Sequence, residues 1–207
     1  MTRVVHPLIH DWNGEAGGPG LSVMLDDETL RDGLQSPSVC MPAFEQKVEI
    51  LHQMEARGID TADIGLPGAG AHVAADVERL ARVIGEERLR IAANCAARTV
   101  AADIQPIADI VQRTGVPIEC CAFIGSSPVR QFTEGWTLDF LRKTTEEAIG
   151  FAVKQGLTVM YVTEDTTRAD PDSLRALITT ALRAGASRLC IADTVGHATT
   201  HGAKAVV

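Results

Sequence analysis

The chain has 207 residues, 45% of them hydrophobic and 22% charged, with a formal net charge of −8. That length and balance suit one globular domain with a sizeable core and exclude disordered and fibrous classes. An acid excess without any basic run excludes phosphate-backbone binding, and no apolar run approaches the roughly 20 residues of a membrane helix. With no secretory pattern at the amino terminus, no nucleic-acid or membrane partner is expected and the cytoplasm is the expected compartment.

Residues 1–22 read as an arm, with Pro7, Pro19, four glycines and Trp12. His6 and His10 stand four apart, but Pro7 permits helix only from its first turn, so a solvated or packed pair is expected rather than a metal site. Residues 23–207 form the second region, where short β-branched runs alternate with stretches of helical period.

Strands are predicted at Val23–Asp27, Thr61–Gly65, Leu89–Asn94, Ile118–Ile124, Thr158–Thr163 and Arg188–Ala192. Amphipathic helices are predicted at Ala43–Ala56, Ala71–Ile84, Val100–Arg113, Leu138–Lys154 and Asp172–Arg183. Gly58, Gly115, Gly156 and Gly185 follow helix ends, as a left-handed cap requires. Cys95, Cys120, Cys121 and Cys190 fall in strand-like runs and are read as small buried hydrophobes; with Cys40 they form neither a disulfide framework nor a CxxC zinc spacing.

Strand and helix in alternation build a parallel sheet covered by helices. A doubly wound sheet would place a glycine-rich phosphate turn after the first strand, where this chain has Leu30-Arg-Asp-Gly-Leu-Gln35. The fold class expected is α/β, an incomplete (β/α)8 barrel with about six βα units, whose reactive groups come from the carboxyl ends of several strands.

Polar residues do follow nearly every strand: Asp63 after the second, Asn94 and Arg98 after the third, Ser126 and Ser127 after the fourth, Glu164, Asp165 and Arg168 after the fifth, Asp193 and Thr194 after the sixth. For Ser126, Ser127 and Asp170, capping is at least as good a reading as function. The stretch Leu25–Gln35 delivers Asp27, Glu28, Arg31, Asp32 and Gln35 to the rim. Asp32 is a hard oxygen ligand for a divalent cation, and Arg31 can neutralise an oxyanion; a simple Arg/Asp salt bridge closing the loop is the competing reading.

Thr29-Leu-Arg-Asp-Gly-Leu-Gln35 resembles the first-strand signature of the 2-isopropylmalate, homocitrate and citramalate synthases, which belong to the DRE-TIM metallolyase superfamily. Glu164, Asp165 and Arg168 are similar to that family's fifth-strand residues, and Asp193-Thr194-Val195-Gly196 to its DTxG turn. On the second strand homocitrate-type members usually have Glu where this chain has Asp63. The resemblance implies a metal-dependent Claisen condensation of acetyl-CoA or another acyl-CoA with a 2-oxo acid. It makes Asp32 a ligand of Mg, Mn or Zn and lets Arg31 stabilise enolate or carbonyl charge. Gln35 would orient substrate, Thr194 would bind the oxo-acid carboxylate, and Glu164 would sit near the reacting carbon, with Asp63, Arg168 and Ser126 on the substrate. A homodimer is implied for the full-length protein.

The family's HxH ligand pair on the seventh strand has no counterpart among the histidines at 6, 10, 52, 72, 197 and 201. His197 and His201 are read as a loop residue and a first-turn helix residue rather than replacement ligands. A truncated product with two strands missing is expected, exposing sheet edges and having little activity alone. Two alternatives stay open: a carbon-carbon lyase of the hydroxymethylglutaryl-CoA type, and a non-catalytic fragment that pairs with another chain.

Overall fold

The computed structural model describes residues 22–207, so the arm, with His6 and His10, lies outside the described residues. Six strands run parallel in one sheet of order β1-β2-β3-β4-β5-β6: β1 Asp26–Asp27, β2 Thr61–Asp63, β3 Ala92–Arg98, β4 Ile118–Gly125, β5 Val159–Glu164 and β6 Arg188–Ile191. Seven helices are described: α1 Phe44–Arg57, α2 Ala71–Glu87, α3 Ala101–Thr114, α4 Pro128–Glu134, α5 Leu138–Lys154, α6 Pro171–Ala184 and α7 Thr200–Val206. None is long and apolar enough to cross a membrane. The incomplete α/β barrel expected from the sequence is what forms, with each strand paired to the next in the chain.

Local chemistry starts and stops the helices. Gln46 accepts the Ala43 amide at 2.9 Å at the head of α1, Thr137 caps α5 and Asp170 caps α6. Gly58, Gly115 and Gly185 close α1, α3 and α6 in the left-handed region. One helix was not predicted: α4, begun by Pro128 behind the Ser127 cap, is too short for a periodic signal.

The core lies between sheet and helices. Along β5, Val159, Tyr161 and Thr163 are buried while Met160, Val162 and Glu164 are half-buried, so alternate residues face the helices and the concave side. Tyr161 meets Leu141, Ile149 and Leu177 in the same core, and its hydroxyl lies 3.0 Å from that of Thr145 on α5.

β2 ends at Asp63, two residues before its predicted Gly65, and β4, β5 and β6 shift by one residue at one or both ends, while the first and third strands depart furthest from their predicted spans. The first shrinks to Asp26–Asp27, because the Leu25 amide donates to the Asp60 carboxylate at 2.8 Å instead of joining the ladder, and Val23, Met24 and Leu25 are exposed. The third begins at Ala92 rather than Leu89: the Glu55 carboxylate takes the amides of Arg90 and Ile91, and the ladder then continues through the alanines to Arg98 opposite Phe123. Among the described residues β1 and β6 are the sheet edges, and Leu25, Leu189 and Ile191 lie exposed there.

Candidate active site

In a parallel sheet all carboxyl ends share one rim, and the register here aligns Asp27 with Ala62, Asp63 with Asn94 and Gly125 with Glu164. Chain segments leaving that rim carry nearly every residue the sequence singled out.

Arg31 is its centre. Nε donates to Asp63 Oδ2 at 2.9 Å, Nη1 to Asp32 Oδ1 at 3.1 Å, and Nη2 to the Glu28 carboxylate. Burial opposes the guanidinium charge, but Asp63 and Glu28 outweigh it and hold Arg31 above its ordinary value. Asp63 is 1% exposed, and its second oxygen accepts the Gly65 amide at 3.0 Å. Burial is the largest influence on this carboxyl and pushes it up to about 7, against the pull of Arg31. The two partners thus shift in ways that look opposed: the arginine gains from the pair, while the carboxylate does not recover its whole desolvation cost. The burial of Asp63 is what leaves that cost uncompensated.

Below the rim lies a second polar layer on the concave face. Asp26 accepts the Thr61 hydroxyl and, at 2.7 Å, the Asn94 amide; Cys121 donates to Asn94 Oδ1 at 3.5 Å. Arg188 of β6 pairs with Glu119 of β4 at 3.5 Å. Burial raises the Cys190 thiol on β6, and so do the charges of Glu28 and Asp26, with Arg31 opposing.

On the far side, Ser126 donates its hydroxyl to the Glu164 carbonyl at 2.8 Å, tying β4 to β5. Thr194 accepts the Asp165 amide at 2.8 Å and so joins the loops after β5 and β6. Arg168 grips Asp165 with Nε and Nη2 at 2.7 and 2.6 Å, which commits its fork within its own loop. Asp193 takes the Thr167 hydroxyl and the amides of His197 and Ala198, folding the turn Asp193–Gly196. Gln35 stands exposed in the single 3-10 turn after Asp32. His197 is a loop residue and His201 lies in the first turn of α7, so they do not share a helix face.

Two side chains near the rim escaped sequence reasoning. Asp26 is polar where a barrel interior is usually apolar; the signal was its alternation with Leu25 and Asp27, out of phase with a helix-facing strand. Arg130 of α4 lies with Nε 3.8 Å from Glu164 and Nη1 3.0 Å from Glu134, on a helix the sequence did not announce.

A groove of about 520 Å³ runs from Asp27 and Thr29, at the end of β1, along the α1 residues Ile50 and Met54 to Ile59. Among the described residues no three His, Cys, Asp or Glu side chains gather into a metal site. Asp32 is exposed and offers one oxygen donor, but Glu28 and Asp63 are engaged by Arg31. This donor set alone does not build a metal centre.

The fold and site together are an open parallel barrel with an arginine and acids at the carboxyl ends of its strands. Residues 22–207 match the HMGL-like family, and the chain belongs to it. A 2-isopropylmalate synthase of Lactococcus lactis subsp. cremoris is 32% identical over 174 residues, covering 84% of this chain and 33% of the relative. One from Prochlorococcus marinus (strain MIT 9211) is 34% identical over 191 residues, covering 89% and 34%. The chain thus spans about a third of the length of these relatives. Among solved structures, the HMG-CoA lyase of Brucella melitensis superposes with a TM-score of 0.63 at 15% identity, covering 89% of this chain and 66% of that one, a likeness of fold.

Proposed function

We propose that this chain carries the arginine side of the catalytic mouth of an acyl-CoA:2-oxo acid acyltransferase of the 2-isopropylmalate synthase type. Its relatives of that name support the reading, and so does the seating of Arg31. A base removes a proton from the acyl-CoA methyl group, the enolate carbon bonds to the 2-oxo carbon, and negative charge gathers on the former carbonyl oxygen. Hydrolysis of the thioester then releases the CoA thiol.

Arg31 is the group suited to that oxygen, because a guanidinium held at the mouth before the reaction stabilises charge without reorganising. Thr194 and Ser126 lie on the loops that would face the substrate carboxylate, and Glu164 ends the strand between them. In the family reading Asp32 donates to a divalent metal that would polarise the 2-oxo group; further ligands would have to join it, and no step here is routed through that ion.

The carrying observation is the bond from Arg31 Nε to buried Asp63, which fixes an arginine from the first strand over the end of the second. The test is thiol release from acetyl-CoA with a 2-oxo acid and a magnesium or manganese salt. It is run on this chain and on a fusion continuing it with the rest of the Prochlorococcus relative's barrel. Release that needs both substrates and is lost in Arg31→Gln supports condensation. Cleavage of hydroxymethylglutaryl-CoA in its place would make the protein a lyase, and no turnover by the fusion of either substrate would sink the catalytic reading.

A further inference from the structure

The family reading sets Glu164 near the reacting carbon, and the rim has to hold its side chain there. The backbone is fixed already, since the Glu164 carbonyl accepts the Ser126 amide at 2.9 Å and the Ser126 hydroxyl at 2.8 Å. The carboxylate is looser. Its side chain is 31% exposed, and among the described residues its one ion pair is with Arg130, whose Nε lies 3.8 Å from Oε1. That is a contact between charges, longer than a hydrogen bond.

Arg130, by contrast, is built into the rim. Its stem lies on Gly125, the residue opposite Glu164 in the β4–β5 register: a Cβ at Gly125 would stand 2.9 Å from Arg130 Nε and 3.0 Å from its Cβ and Cγ. A glycine at the end of β4 is what lets the arginine lie there. Ser127 Oγ accepts the Arg130 amide at 3.3 Å, Nη1 reaches Glu134 at 3.0 Å, and the guanidinium carbon stands 5.7 Å from the centre of the Trp136 ring. With these contacts made, Nε is the one buried side-chain polar atom among the described residues that has no hydrogen-bond partner. A buried donor left unpaired is costly, so it marks a place where an acceptor arrives.

We propose that Arg130 is a positioning residue for Glu164: when the substrates bind, its Nε–H takes one oxygen of that carboxylate and leaves the other for the reacting carbon. The proposal rests on the functional reading above. Closing the gap from 3.8 Å to a hydrogen bond of about 2.9 Å needs a side-chain rotation of Glu164 and no shift of the backbone that Ser126 holds. An i,i+4 pair with Glu134 on the surface of α4 would need neither the glycine under the stem nor a buried Nε. Glu134 instead holds the far end of the guanidinium, so that its near edge is aimed at β5 before any substrate arrives.

The first arm of the experiment uses the 207-residue chain with a water-soluble carbodiimide and glycine ethyl ester, which couple to reachable carboxyl groups; modification at Glu164 is followed by peptide mass spectrometry. In Arg130→Gln, Glu164 should react about threefold to fivefold faster than in the native chain, the scale of a part-exposed ion pair. Gly125→Ala keeps both charges but pushes the arginine off the strand end, and should do the same; circular dichroism on both variants checks the fold. The second arm uses the barrel fusion. There Arg130→Gln should lower kcat about tenfold to a hundredfold with KM for the 2-oxo acid unchanged, because a misplaced group costs rate rather than binding. Glu164→Asp already draws the carboxylate back from Nε, so adding Arg130→Gln to it should cost about twofold at most. Equal labelling of the native chain and Arg130→Gln overturns the proposal, as does faster labelling with kcat intact, or the full kcat loss repeated on top of Glu164→Asp. Faster labelling in both variants with no turnover by any fusion would uphold the Arg130–Glu164 pair and count instead against the acyltransferase reading.

Discussion

Arg31 Nε stands 2.9 Å from Asp63 Oδ2, a charged pair formed between the loop after the first strand and the end of the second, with the carboxylate 1% exposed. A buried acid whose proton is held up to about 7 by desolvation favours the fold most when neutral. Its contribution is complete below the ordinary carboxylate range near 4 and is lost as pH rises through about 7. Between pH 5 and pH 8 the native chain should therefore lose roughly 1–3 kcal/mol that Asp63→Asn does not lose. Urea midpoints of both proteins at the two pH values measure this, and parallel slopes would refute it.

Gly65, which supplies the amide to Asp63, sits at φ +148, and a Cβ there would stand 2.6 Å from Val77 Cγ2. Both the backbone conformation and the packing of α2 against β2 resist a side chain. Gly65→Ala should cost about 2–4 kcal/mol from strain and overpacking together. A melting temperature unchanged within error would show that Val77 yields freely.

Thr194 supplies the acceptor for the Asp165 amide, and Asp165 itself is held at φ 60 by its bidentate pair with Arg168. Thr194→Ala leaves that amide without its partner and should destabilise by about 1–3 kcal/mol, while Thr194→Ser, which keeps the hydroxyl, should recover most of the loss. Thermal unfolding of the pair separates a hydrogen bond from a methyl contact; equal losses in both variants would favour the methyl.

The cysteines divide by burial. Cys40 is exposed, whereas burial pushes the Cys120 thiol up to about 12 and raises Cys95 and Cys121 further above the ordinary range. Because the thiolate is the reactive form, iodoacetamide near pH 8 should label Cys40 in the native protein and reach Cys95, Cys120 and Cys121 only on unfolding. Early labelling of Cys120 would mean that β4 opens locally.

Much of the fold was legible because its signals are local. The helix α5 begins and ends where period and capping placed it, and Gly58, Gly115 and Gly185 terminate their helices for the steric reason that marked them. The strands at the sheet's margins were less legible, since their lengths are fixed by partners distant in sequence. Asp60 takes the Leu25 amide and shortens β1; Glu55 takes two amides and delays β3. Neither carboxylate carries a mark of that task in its own neighbourhood.

The sequence by itself determined that parallel strands alternate with helices and that polar residues follow the strands, because side-chain periodicity and capping act over a few residues. Only the tertiary structure decided which charges meet. It gave Arg31 to Asp63, Asp32 and Glu28 at once, committed Arg168 to Asp165, and set Thr194 beneath an amide across a loop. Such pairings depend on the curl of the sheet and on burial, which set distance and dielectric together, and neither is encoded in any single stretch of the chain.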